Sequence, residues 1–330
     1  NSATAQLATL HKLPKLRPSK KKGPVLPGFD IRVDELRLDR LHVGAAIAGK
    51  AQSGRLSGRA DIRGGRAMVK LDAAVGRGDR LALALDAEPD RDRFDLDARL
   101  DAEANGVFGK IIGTRRPVAL QVNGDGRWTA WQGKALLDMG GERIVDLALG
   151  AQKGRYTLTG TAFPARITTG RLARLSAPRV LINGTAELDK RRLTTALSVR
   201  SAALAIKADG VLDLAESAFD NMRVDVDLLQ PAAMVPNMRG RDIALKLLFD
   251  GAFGRARFEY LLTAPGVAFD ETGFEQVRAA GKGTLGPSPV TVPIRLSAAR
   301  VTGVGDVAGG ILRNLSIEGL LRVSAATISG

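Results

Sequence analysis

The most constraining feature of this chain is a strict two-residue alternation of apolar and charged side chains. Phe29, Ile31 and Val33 alternate with Asp30, Arg32 and Asp34. The phase slips at Glu35 and resumes with Leu36 and Leu38 against Arg37 and Asp39. Leu81, Leu83 and Leu85 form one such series, and Phe94, Leu96 and Leu100 alternate with Asp95, Asp97, Arg99 and Asp101 in the next. Leu212 and Leu214 flank Asp213, while Val224, Val226 and Leu228 flank Asp225 and Asp227. A strand points successive side chains to opposite faces, so period two with charges on one side predicts strands with one dry and one wet face. Sheets of that kind are mostly antiparallel.

Glycine-containing punctuation predicts hairpin turns at Gly64-Gly65, Gly76 to Asp79, Asn123 to Gly126, Gly140-Gly141, Asn183-Gly184 and Asp209-Gly210. Long helical periodicity is absent. Short helical turns are expected at Val107–Ile112, Ala232–Met238 and Val307–Leu315. Strands of ordinary length separated by turns imply about 20 strands in 330 residues. Only 4% of residues are aromatic, so the interior has to be filled by Leu, Val, Ile and Ala. A sheet that long, apolar on one side and lacking a helical layer to cover it, is expected to turn its apolar face onto itself.

The charge is uneven. Lys and Arg total 49 against 35 acids, a net +14. Residues 1–28 hold Lys12, Lys15, Arg17 and the run Lys20, Lys21, Lys22 with no acid, and Pro14, Pro18, Pro24 and Pro27 stiffen the same stretch. That composition predicts a basic, Pro-rich linker over 1–28, followed by one continuous β-region over 29–330. Lys20, Lys21 and Lys22 are candidates for contact with an anionic surface. Nucleic acid is not expected as a partner, since the arm has no aromatic residue to stack on bases.

Catalytic chemistry is sparse. Zero Cys removes disulfides, thiolate metal sites and cysteine nucleophiles, and two His (His11 and His42) leave little for a His-based triad. Asp95 with Asp97 and Asp225 with Asp227 fall on the wet face of strands, where the burial that raises a general acid's pKa is lacking. Gly303-Val-Gly305-Asp-Val-Ala308 fits a loose dinucleotide pattern, but Gly309 and Gly310 weaken the helix that would have to follow. Arg77-Gly78-Asp79 reads as a turn. No catalytic residue, metal or cofactor is expected. No stretch is apolar and long enough for a bilayer span, and the chain starts with Asn, so it reads as a segment of something longer.

The stretch Leu26-Pro-Gly-Phe-Asp-Ile-Arg-Val-Asp-Glu-Leu-Arg-Leu-Asp-Arg-Leu-His-Val43, after Leu13-Pro-Lys-Leu-Arg-Pro-Ser19, resembles the TamB family of translocation and assembly module proteins, AsmA-like proteins with a DUF490 region. The Gly-rich alternation of residues 133–149 and 301–323 is similar in style. The resemblance implies an all-β fold: a long, mostly antiparallel meander curled into a taco-like groove with an apolar lining and few short helices. It also implies an inner-membrane-anchored periplasmic protein of Gram-negative bacteria. Phospholipid acyl chains and the outer-membrane Omp85-type partner TamA are then its expected partners, in phospholipid transfer and outer-membrane protein assembly. The lining candidates are Ile31, Val33, Leu36, Leu38, Leu81, Leu83, Leu85, Phe94, Leu96, Leu100, Leu212, Leu214, Val224, Val226 and Leu228. Two other classes stay open: a polysaccharide-processing β-solenoid enzyme, whose sugar platforms would have to be Trp128 and Trp131, and a passive adhesin stalk.

Overall fold

A computed structural model describes residues 2–5, 8–10, 31–45, 49–63, 66–88, 91–127, 129–189, 191–286, 290–305 and 310–323. Strands account for 72% and helices for 9%, which bears out the all-β expectation. The sheet is not closed into a barrel. The chain divides into two compact units, residues 1–160 and 161–329.

In the first unit β3 (Ile31–Val43), β4 (Gln52–Arg63), β5 (Arg66–Val75), β6 (Asp79–Glu88), β7 (Arg93–Ala102), β8 (Val118–Arg127), β9 (Ala130–Met139) and β10 (Glu142–Gln152) pair antiparallel in chain order. Two short strands, β1 (Ser2–Ala5) and β2 (Ala8–Leu10), pair parallel with β3, at residues 35–38 and 41–43. Those residues belong to the stretch read as linker. The edge of β3 offers unpaired N–H and C=O groups, and the backbone of residues 2–5 and 8–10 satisfies them whatever its side chains. Lys20, Lys21 and Lys22 lie outside the described residues. The phase slip at Glu35 is a bulge: register shifts between Val33 and Leu36, so Ile31, Val33, Leu36 and Leu38 stay on one face.

β11 (Arg155–Ala162) runs across the division between the units. In the second unit β12 (Val180–Asp189), β13 (Arg192–Arg200), β14 (Leu204–Asp213), β15 (Ala218–Leu228) and β17 (Ile243–Ala252) pair in turn. β16 (Met238–Arg241) and β17 lie end to end along β18 (Arg257–Phe269). β19 (Thr272–Thr284), β20 (Val290–Thr302) and β21 (Ile311–Val323) continue the meander. Its buried cluster is Ile243, Ala264, Val277, Ala298 and Val301.

Helices are short: α1 (Val107–Ile112), α2 (Gly170–Ser176) and α3 (Pro231–Met234). The first matches its expected bounds, and α2 carries no sequence signal strong enough to anticipate it. The third stops at Met234, because Met238 already pairs with Phe269. Of the helical turn expected at Val307–Leu315, residues 307–309 lie outside the described residues and the rest is overturned, since Ile311–Val323 is a strand paired with β20. A strand there also removes the helix that a dinucleotide site needs. Turns form at residues 76–78 and at Gly140-Gly141 as expected, and Gly64-Gly65 lies outside the described residues. Asn123 to Gly126, Asn183-Gly184 and Asp209-Gly210 are strand interior instead. Glycine there makes room rather than a turn: a Cβ on Gly124 would sit 2.2 Å from the Trp131 ring, and one on Gly210 2.6 Å from the Met222 backbone.

Asp92, between β6 and β7, accepts hydrogen bonds from both the N–H and the hydroxyl of Thr129, each 2.6 Å long. These bonds favour the charged carboxylate and hold its pKa below the usual value. Its contribution to stability is therefore complete above the ordinary carboxylate range and fades as pH falls through the lowered value. Thr129→Ala is expected to return Asp92 toward the ordinary range in an NMR pH titration.

Candidate functional site

The cross-strand registers decide which side chains share a face, and in the first unit they assemble one apolar surface. One row runs Leu38, Leu56, Ala73, Leu81, Leu100, Leu120, Leu137 and Val145 across eight strands. The next runs Leu36, Gly58, Leu71, Leu83, Ala98, Val122, Ala135 and Leu147. Val33, Leu85 and Leu96 belong to a third row, and Ile31 and Phe94 to a fourth. All ten lining candidates of this unit therefore stand on the same side. In the second unit Leu212, Val224, Val226 and Leu228 share a face, opposite Phe219, Ala208, Ile206 and Leu204 respectively. Leu214 does not join them. It lies past the end of β14 in a turn, 38% exposed, with its N–H donated to the Arg191 carbonyl.

Among the described residues, the apolar face of the first unit is sealed at its two ends and not between them. At one end Val43, Val75 and Val107 are buried, with Leu41 and Phe108 packed on them. This end depends on α1, and α1 depends on Asp79. The Asp79 carboxylate is 2% exposed and accepts the N–H groups of Glu103 (2.8 Å) and Phe108 (2.9 Å). It serves as the missing N-cap for a helix that begins at a glycine with no capping side chain of its own. Gly106 must be glycine, because a Cβ there would lie 2.1 Å from the carboxylate. The tripeptide read only as a turn thus ends in a buried structural acid.

At the other end the Trp131 indole, 7% exposed, lies over Gly124 and Gly133 and meets Phe94 edge-on at 5.4 Å. Its Nε1 has no hydrogen-bond partner among the described residues. Of the two tryptophans considered as sugar platforms, Trp131 is thus a packing element on the apolar face, and Trp128 lies outside the described residues. A Cβ on Gly133 would come within 2.5 Å of the ring. Gly133→Val is expected to expel the indole, red-shift Trp131 emission in a Trp128→Phe background, and cost about 1–3 kcal/mol by overpacking.

Between these ends the leucines are half-covered. No leucine among the described residues is buried, and no large side chain falls below 2% exposure. Leucine is ordinarily one of the residues most often fully buried. A sheet whose apolar face is open to solvent leaves its leucines in this intermediate state.

The opposite face of the first unit is polar and holds a cavity of about 930 Å³. Arg59, Lys70, Asp86, Asp95, Asp97, Asn123, Asp125, Gln132, Lys134 and Thr157 line it together with Met68, Val69, Leu85, Leu96 and Leu149, so Asp95 and Asp97 border this hollow. Asp86 and Asp95 stand directly opposite each other, and Arg93 bridges them at 3.2 and 3.0 Å. His42 is exposed on β3. No cluster of metal-ligating side chains occurs among the described residues, and no described helix is long and apolar enough to cross a membrane. Comparison with protein-family models, curated proteins and solved structures finds no match.

Proposed function

We propose that this chain is a hydrocarbon-carrying bridge segment, in which phospholipid acyl chains lie along the apolar face of its sheets. The observation that carries the reading is the unsealed leucine surface across β3 to β10. Full burial of a leucine is worth about 1.5–3 kcal/mol, so every half-covered leucine leaves part of that gain unclaimed. A hydrocarbon ligand can claim it, and it needs no directional chemistry from the protein. Contiguous apolar surface on this scale marks an interaction site in a soluble chain. The TamB resemblance supplies the setting: a periplasmic bridge anchored in the inner membrane, delivering lipid toward the outer membrane alongside a TamA-type partner. The role is that of a conduit rather than of an enzyme.

Native mass spectrometry of protein extracted without harsh detergent tests this directly. Bound phospholipid is the expected result, and a chain that carries none when extracted from phospholipid membranes overturns the reading. The basic arm gives a second expectation. Neutralising Lys20, Lys21 and Lys22 to Gln is expected to weaken binding to anionic vesicles at low salt, by about 1 kcal/mol per residue near the surface. The difference shrinks as salt screens the surface. Equal binding by parent and triple variant at low salt would make the arm a plain connector.

A further inference from the structure

On the polar face of the first unit, charges that meet across strands are almost all neutralised. Arg63 and Arg66 stand opposite each other, but each holds an acid: Arg63 pairs with Asp61 at 2.7 Å, and Arg66 with Glu88 at 3.0 Å and Asp86 at 3.2 Å. Arg32 faces Asp61 and Arg80 faces Asp101. Asp86 and Asp95 are the like-charged acids already described, with Arg93 between them. One cation pair breaks the pattern. Arg59 on β4 and Lys70 on β5 are direct register partners, and neither has an ion pair or side-chain hydrogen bond among the described residues. Like charges directly opposite on a sheet repel, and both groups line the 930 Å³ cavity.

The register continues that row through Ala84, Asp97, Asn123 and Lys134. Ala84 is small and leaves space beside the two cations. Beyond it come hydrogen-bonding groups of both kinds: the Asn123 amide, the Gln132 amide, the Asp125 carboxylate and the Thr157 hydroxyl. Among the described residues no aromatic ring lines the cavity, so it offers no stacking platform to a flat ligand. β5 and β8 are three strand spacings apart, about 14 Å. That span accommodates a phosphate followed by two sugar rings.

We propose that this cavity binds a phosphorylated saccharide, its phosphate between Arg59 and Lys70 and its hydroxyls on Asn123, Gln132 and Asp125. Arg presents a fork of donors and Lys a compact charge, and together they replace mutual repulsion with shared charge-assisted bonds to phosphate oxygens. Carboxylate and amide oxygens accept from sugar hydroxyls, and the amide nitrogens donate to them. Its cations and amides stand on the polar rows, although Val69, Leu85, Leu96 and Leu149 also line the cavity; its test uses phosphate and sugar probes and no lipid, so the two readings are tested separately.

The test is isothermal titration of the whole chain at constant ionic strength with trehalose 6-phosphate, trehalose and inorganic phosphate. Saturable binding of trehalose 6-phosphate, weaker binding of phosphate and no binding of trehalose is the expected order. Arg59→Gln with Lys70→Gln is expected to weaken trehalose 6-phosphate at least tenfold. The same pair of changes should not lower thermal stability, because it removes a repulsive pair. Asn123→Ala is expected to weaken the sugar phosphate several-fold and to leave phosphate unchanged. No saturable binding of trehalose 6-phosphate, equal affinity for trehalose or phosphate, or undiminished affinity in the double variant would each overturn the proposal.

Discussion

Leu83→Asp and Leu96→Asp are expected to melt close to the parent chain and to purify without bound phospholipid. Leu83 stands between Leu71 and Ala98, and Leu96 between Leu85 and Gly124, in the middle of the apolar rows. Both are half-covered rather than buried. A carboxylate forced into a sealed core costs several kcal/mol and would cripple folding. On a face open on one side it turns to water and gives up only the packing of the lost leucine, about 1–2 kcal/mol. For a unit of this size that is a shift of roughly 2–8 °C in Tm. The same charge interrupts a continuous hydrocarbon surface, and an acyl chain crossing it would have to desolvate a carboxylate. Differential scanning calorimetry and native mass spectrometry on each variant check the two halves of the expectation. Collapse of the fold would mean that these rows are ordinary core, and the conduit reading would lose its physical support.

Asp79→Ala is expected to produce the largest loss of stability of any single substitution in the first unit. The carboxylate is almost wholly enclosed and accepts two backbone N–H groups. Deleting it strands both donors, at about 1–3 kcal/mol each. A combined loss of about 3 kcal/mol lowers Tm by roughly 6–12 °C. Release of α1 also uncovers Val43, Val75 and Val107, the buried cluster at that end of the apolar face. Hydrogen exchange over residues 107–112 is expected to accelerate in Asp79→Ala before the strands unfold. Unchanged exchange and unchanged melting would show that α1 is held by packing alone.

Leu83 and Asp79 also mark how far the sequence could be read. Leu83 announces itself: an apolar residue with charges or small residues alternating beside it belongs to a strand with one dry face, whatever its neighbours. Asp79 gives no such sign. Its partners, Glu103 and Phe108, are 24 and 29 residues away in the chain, and nothing local distinguishes it from a turn aspartate. Arg59 and Lys70 are similarly silent, because their opposition arises only from the hairpin register. Gly124 and Gly210 misled for a related reason. Asn-Gly and Asp-Gly are good turn formers, but a glycine also fits wherever a neighbouring strand or ring comes too close for a Cβ.

The period-two pattern by itself determined the all-β class, the antiparallel meander, the identity of the apolar face and even the bulge near Glu35, because side-chain direction in a strand is a local property of the backbone. The division at residue 160, the β1 and β2 pairings, the sealing of the face by Asp79 and Trp131, and the polar cavity were decided only by tertiary structure. Each depends on which residues of distant strands come into register. A single chain's alternation constrains that register to a parity and leaves its value open.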